Sequence, residues 1–157
     1  MAGAGSPTNQ GLDASGLRIA IVHGRWHQQI ADGLLEGARR ALAEMGADVL
    51  ELPVPGAFEL PVVAQAALEA GADGAVALGV IIRGGTPHFE YVAQAATIGL
   101  TDVAVRTGKP VGFGVLTTDD EQQGLDRAGL TGSKEDKGRE AAEAVVEAAL
   151  ALRSLRG

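Results

Sequence analysis

An α/β fold, with a four-stranded parallel sheet held between helices as a three-layer α/β/α sandwich, is predicted by three features of the sequence. Short apolar runs rich in Val, Ile and Ala alternate with stretches whose apolar residues recur at helical spacing. The run Gly74-Ala75-Val76-Ala77-Leu78 continues to Ile82 without alternation, as expected of a strand covered on both faces. Glycines punctuate the helical stretches at Gly46, Gly71 and Gly108. Such β-α alternation implies right-handed crossovers and a ligand site at the carboxyl ends of the strands.

Residues 1–16 are rich in Gly, Ala, Ser, Pro and Asn without apolar periodicity and predict a flexible arm. A single domain is expected over residues 17–157. Leu17-Arg18-Ile19-Ala20-Ile21-Val22 is a short β-branched run, and His23-Gly24-Arg25-Trp26 turns out of it. From about His27 to Met45, apolar residues at Ile30, Leu34, Leu35, Ala38, Ala41 and Leu42 fall on one helical face. Residues 49–54 predict a second strand, Pro55-Gly56-Ala57-Phe58-Glu59 a turn, and residues 60–70 a helix with Pro61 in its first turn. Strand three spans residues 75–82. A helix through Leu100 follows, then a short turn, strand four at residues 110–116, a polar helical stretch over residues 118–128, and a last helix after Gly138. Ser133 and Asp136 are spaced like a helix N-cap and its reciprocal acid. Ala, Val and Leu cover so much of the last helix that burial on more than one side is expected, including against a second subunit.

At 157 residues the chain is long enough to bury a core, and with 3% aromatic residues that core must be aliphatic. A net charge of −7 argues against nucleic acid and anionic membrane surfaces as partners. The sequence has no cysteine, which removes disulfides, thiolate metal sites and a cysteine nucleophile. With no apolar segment of membrane-spanning length and no signal-peptide pattern, a soluble cytoplasmic protein is expected.

The chemistry concentrates in Gly79-Val80-Ile81-Ile82-Arg83-Gly84-Gly85-Thr86-Pro87-His88-Phe89-Glu90, where strand three opens into a loop and then a helix. Gly84-Gly85-Thr86 can present consecutive backbone N–H groups to an anion, Arg83 brings fixed positive charge, and His88 is a residue type that titrates near neutral pH. Trp26, Phe58 and Phe113 are three of five aromatics and fall at or near the carboxyl edge, which suits a flat, stackable ligand. Glu59 can complement a helix N-terminus or accept hydrogen bonds from a ligand. Arg127 and Lys137 are solvated charges, or anion ligands if the helix packs across a subunit boundary. His23 and His27 lack a third partner, so no metal site is expected. No Gly-x-Gly-x-x-Gly, P-loop or Gly-x-Ser-x-Gly pattern is present in the expected place.

Taken together, Ile19-Ala20-Ile21-Val22 with Trp26, Val54-Pro55-Gly56-Ala57-Phe58-Glu59-Leu60-Pro61, Leu78 through Phe89, Phe113-Gly114-Val115-Leu116-Thr117, and Asp126-Arg127-Ala128-Gly129 with Lys137-Gly138 resemble the 6,7-dimethyl-8-ribityllumazine synthase family. The blocks stand in family order from Leu17 to the last helix. The resemblance implies a flavodoxin-like fold and condensation of 5-amino-6-(D-ribitylamino)uracil with 3,4-dihydroxy-2-butanone 4-phosphate in riboflavin biosynthesis, releasing phosphate and water, without a cofactor. It implies His88 as the proton-transfer residue. Trp26, Ala57, Phe58, Glu59, Val80, Ile81 and Ile82 are implied to bind the pyrimidine and ribityl portion, with Phe113 arriving from an adjacent subunit. Gly85 and Thr86 are implied to hold the phosphate, together with Arg127 and Lys137 of a neighbour.

The same resemblance implies a homo-oligomer, a pentamer or a multiple of pentamers up to an icosahedral capsid. Its N-terminal arm would add a strand to a neighbouring sheet, and riboflavin synthase enters consideration as a partner. Two positions depart from the family pattern: His27 stands where Asn is usual, and Gly85 where Glu, Gln or Ala is usual. The alternative is a non-catalytic flavin- or ribityl-binding protein of the same fold.

Overall fold

A computed structural model describes residues 4–7 and 11–157. Its elements are β1 (Arg18–Gly24), α1 (Gln28–Met45), β2 (Asp48–Val54), a 3-10 turn (Ala57–Glu59), α2 (Leu60–Glu69), β3 (Gly74–Ile82), α3 (His88–Thr107), β4 (Val111–Thr118), α4 (Glu121–Leu125) and α5 (Lys137–Arg156). The four strands form one sheet in the order β2-β1-β3-β4, every pair parallel.

Alternation along β1 explains the three layers. Ile19 and Ile21 face α1 and α5 in one buried cluster with Ile30, Leu34, Leu42, Val145 and Val146. Ala20 and Val22 point to the other face, into a second cluster with Leu60, Ala64, Ala96 and Leu100 of α2 and α3. Small residues bring helices close: at Gly138 a side chain would collide with the Leu34 backbone of α1. The core is aliphatic on both faces, as the composition requires.

The structure moves several expected boundaries. The helix α3 runs unbroken to Thr107, past Leu100, because Ala96, Leu100 and Val103 keep one buried face in phase; Gly108 ends it with a left-handed φ of 67°. The polar stretch after β4 is helical only over Glu121–Leu125, capped by Asp120 accepting from the Gln123 N–H at 2.8 Å. Beyond it the chain is spent on a loop in which the Asp126 carbonyl receives the N–H groups of Lys134 and Glu135.

Asp136, not Ser133, caps α5, accepting from the Arg139 N–H at 3.1 Å. Ser133 instead accepts from Leu130 and donates to the Leu125 carbonyl within that loop. Within the expected arm, Ala14 is buried and its N–H donates to the Met45 carbonyl at 2.7 Å, so this part is held against the end of α1 rather than free. Residues 1–3 and 8–10 of that arm lie outside the described residues.

Strand order fixes where a ligand can sit. The chain steps from β1 outward to β2, then returns to β3 on the opposite side of β1 and continues to β4. Connections on either side of β1/β3 leave in opposite directions and part at the carboxyl ends of these two strands. A crevice opens there.

Candidate active site

That crevice is a cleft of about 590 Å³ lined by Trp26, His27, Gly56, Ala57, Phe58, Glu59, Val80, Ile81, Ile82, His88, Tyr91 and Val92. Three chain segments build it. The first is the turn after β1, tied to the turn after β2 by the Arg25 N–H donating to the Pro55 carbonyl at 3.2 Å. His27 ends this turn in the left-handed region, at φ 57°, the only non-glycine residue with positive φ among those described. That conformation swings Trp26 out over the cleft before α1 begins.

The second segment is the 3-10 turn. Trp26 lies against the backbone of Gly56: a Cβ there would stand 2.8 Å from indole Cδ1 and 3.0 Å from Nε1. Glu59 reaches back to accept from the Gly56 N–H at 3.0 Å, which engages one carboxylate oxygen and sets the turn. Trp26 and Phe58 are 67% and 65% exposed, so they do not plug the core; they form open faces of the cleft.

The third segment is the end of β3 and the start of α3. Strand β1 pairs with β3 only as far as His23↔Leu78, whereas β4 accompanies β3 through Ile82↔Thr118. Among the described residues the edge of residues 79–82 that faces β1 therefore has no strand partner, and Val80, Ile81 and Ile82 line the cleft. His88 is the first residue of α3, and Tyr91 and Val92 follow it one turn along, on the same wall. Between them, residues 84–87 are exposed, and the N–H groups of Gly84, Gly85 and Thr86 donate to no group among the described residues. Three successive main-chain amides thus stand unengaged next to the start of α3.

Not every expected residue is here. Phe113 does not line the cleft: its partner is Ala77, four residues before Ile81, which sets it about 13 Å back along the sheet at 3.3 Å per residue. It is 46% exposed on the edge strand β4. Arg83 is not an uncommitted charge for an anion. Its Nη1 donates to Glu90 at 2.9 Å, its Nε to Asp119 at 3.0 Å, and its guanidinium lies 4.3 Å over the Phe89 ring.

Arg127 and Lys137 stand together, but outside the cleft. The Lys137 N–H donates to the Arg127 carbonyl at 3.0 Å, and Arg127 Nη1 donates to the Gln123 carbonyl at 2.8 Å. Lys137 Nζ lies 3.3 Å from Glu135 and 3.4 Å from Glu140.

Gly56, Tyr91 and Val92 were not singled out from sequence, and His27 was noted only as a departure from the family pattern and as half of a rejected metal pair. The spacing of His88, Tyr91 and Val92, three and four residues apart, is a signal that could have found the latter pair. Among the described residues no group of three or more His, Cys, Asp and Glu side chains could hold a metal ion, and no helix is long and apolar enough to cross a membrane.

Comparison with known proteins follows the same residues. The family model of 6,7-dimethyl-8-ribityllumazine synthase matches residues 16–153. The chain is 66% identical over 158 residues to the 6,7-dimethyl-8-ribityllumazine synthase of Leifsonia xyli subsp. xyli, covering 100% of both chains. It is 65% identical over 159 residues to the protein of that name from Clavibacter michiganensis subsp. michiganensis, across 100% of this chain and 99% of the relative. A third, from Kineococcus radiotolerans, is 61% identical over 156 residues, across 99% and 96%.

Proposed function

This chain belongs to the 6,7-dimethyl-8-ribityllumazine synthase family and is a transferase of riboflavin biosynthesis, and from that premise we propose how its residues divide the reaction. The substrates are 5-amino-6-(D-ribitylamino)uracil and 3,4-dihydroxy-2-butanone 4-phosphate. Trp26 stacks on the pyrimidine, the open edge of Val80, Ile81 and Ile82 meets the ring's polar groups, and Ala57, Phe58 and Glu59 receive the ribityl chain. Glu59 keeps one oxygen for a hydroxyl while the other holds Gly56. Gly85 and Thr86 hold the phosphate through their backbone amides, a role that the missing side chain at Gly85 does not weaken.

The amine of the pyrimidine attacks the ketone and loses water to give an imine, phosphate leaves by elimination, and the ribitylamino nitrogen closes the ring on the carbonyl so formed with loss of a second water. His88 moves protons in these steps as general acid and base. Holding both substrates in one cleft supplies much of the acceleration, because a bimolecular encounter becomes an intramolecular one. The observation that carries the proposal is that His88 stands on the wall of the same cleft as Trp26, Phe58 and Glu59.

Phe113, Arg127 and Lys137 complete the site from the next subunit of a homo-oligomer, a pentamer or multiple of pentamers. Their positions away from the cleft of their own chain support this reading. We place the enzyme in the cytoplasm, with small-molecule substrates and with riboflavin synthase as its candidate partner.

The test is direct. Purified protein given both substrates should raise lumazine absorbance well above the spontaneous rate, and a rate equal to the spontaneous one would refute catalysis. A solution mass equal to one chain would refute the shared site.

A further inference from the structure

We propose that Arg83 is a positioning residue for His88, fixing the base of the 84–86 loop and with it the place of the imidazole. The inference rests on the role given to His88 above. It starts from how little else restrains this loop. A Cβ built at Gly84 or Gly85 would meet nothing within 4 Å, and residues 83–88 are all exposed. Two adjacent glycines have the widest backbone freedom of any pair. Packing does not order this segment, so its ends must.

Arg83 holds both ends. Its N–H donates to the Thr118 carbonyl at 2.8 Å, which pins the end of β3 to β4. Its Nε donates to Asp119 at 3.0 Å in the turn that follows. Its Nη1 donates to Glu90 at 2.9 Å and its guanidinium covers the Phe89 ring at 4.3 Å. Phe89 and Glu90 directly follow His88, so one side chain closes the loop across its mouth.

Both pairs are solvated and add little to the stability of the fold. Their consequence is geometric: a proton-transfer group has to be held within about 0.5 Å of its productive place. The planar fork that reaches two carboxylates while stacking on a ring is particular to arginine; lysine would keep charge alone.

The experiment compares Arg83→Met in the wild-type and His88→Ala backgrounds, measuring kcat, KM for each substrate, and melting temperature. In the wild-type background, kcat should fall about threefold to tenfold, with both KM values within about twofold and melting temperature unchanged. In the His88→Ala background the same substitution should change kcat no further. Arg83→Lys should recover only part of the loss.

A rise of about tenfold in KM for the phosphate substrate at constant kcat would mean that Arg83 binds phosphate itself, and would overturn the proposal. So would an undiminished effect in the His88→Ala background, or unchanged kinetics. Should Arg83→Met not fold, Glu90→Gln removes one anchor; a smaller fall in kcat supports the proposal and an unaltered kcat overturns it. A neutral His88→Ala would sink the role of His88 and this inference together. A slow His88→Ala beside a neutral Arg83→Met sinks this inference alone.

Discussion

Replacing Gly56 by alanine tests how the cleft sets its stacking face. The backbone at this position is extended, with φ −161°, a conformation any residue adopts, so the substitution brings no dihedral strain. The added methyl does bring a contact. It would stand 2.8 Å from indole Cδ1, against an ordinary contact of 3.4 Å or more, so the ring must withdraw by 3.4 − 2.8 = 0.6 Å at least. Trp26 is 67% exposed and can move outward without disturbing the core. A displacement of about 1 Å in a positioning group costs on the order of a hundredfold in rate, so a shift of this size should lower kcat/KM for the pyrimidine by about threefold to tenfold. The phosphate substrate, whose proposed contacts are Gly85 and Thr86, should be affected less. Trp26 is the single tryptophan of the chain, so its emission reports the displacement directly. Steady-state kinetics with each substrate varied, beside emission spectra and melting curves, make the assay. Unchanged emission with unchanged kinetics would refute the packing argument, and a melting temperature lowered by many degrees would show that the methyl had disturbed the core instead.

Three further outcomes are expected. His88→Ala should slow turnover by about tenfold to a hundredfold with substrate binding intact, and a neutral variant would contradict the acid–base role. Arg127→Ala should weaken the phosphate substrate by about tenfold or more and the pyrimidine much less, whereas equal effects would argue against phosphate binding. Burial holds the His23 imidazole below its ordinary range, against the opposing pull of Glu51. The unfolded chain therefore binds more protons, so His23 contributes stability that is full above about pH 6.5 and is lost as pH falls through the depressed folded value. Urea titrations of His23→Gln between pH 7.5 and 5 should show a flatter dependence than wild type, and parallel curves would assign the slope elsewhere.

The layers of the fold were legible because they follow from local pattern. A short aliphatic run between glycine-bounded helical stretches, such as residues 74–82, fits a strand covered on both faces, as β3 is, and the glycines at 46 and 108 end their helices with the left-handed turn that glycine favours. That Trp26, Phe58 and His88 line one cleft was legible for a related reason: each sits just beyond an apolar strand, and strand ends are where such folds open a crevice. Phe113 was misplaced because an aromatic inside a strand shows its face but not its height, which is set by register with Ala77 on another strand. The pairing of Arg83 was not legible because Asp119, one of the carboxylates that engages it, lies 36 residues further on. The capping of α5 turned on competition: Ser133 is drawn into the loop by Leu125 and Leu130, leaving Asp136 to cap.

Charge gives the strongest reason to expect a site divided between subunits. Among the described residues no lysine or arginine lines the cleft, and the nearby Arg83 is engaged by two carboxylates. A phosphate bound at Gly85 and Thr86 would find amides, a helix N-terminus and His88 in its own chain, within a protein of net charge −7. Arg127 and Lys137, joined by a main-chain hydrogen bond, are the pair that the proposed function brings from the next subunit. Complementation separates this from a site built within one chain. Subunits carrying His88→Ala and subunits carrying Arg127→Ala, co-assembled in equal amounts, place an intact His88 beside an intact neighbouring Arg127 in about a quarter of random sites. Activity should then rise well above that of either variant alone, towards about a quarter of wild type. If each chain supplied both residues to its own cleft, every site in the mixture would carry one defect, and activity would stay at the mean of the two variants.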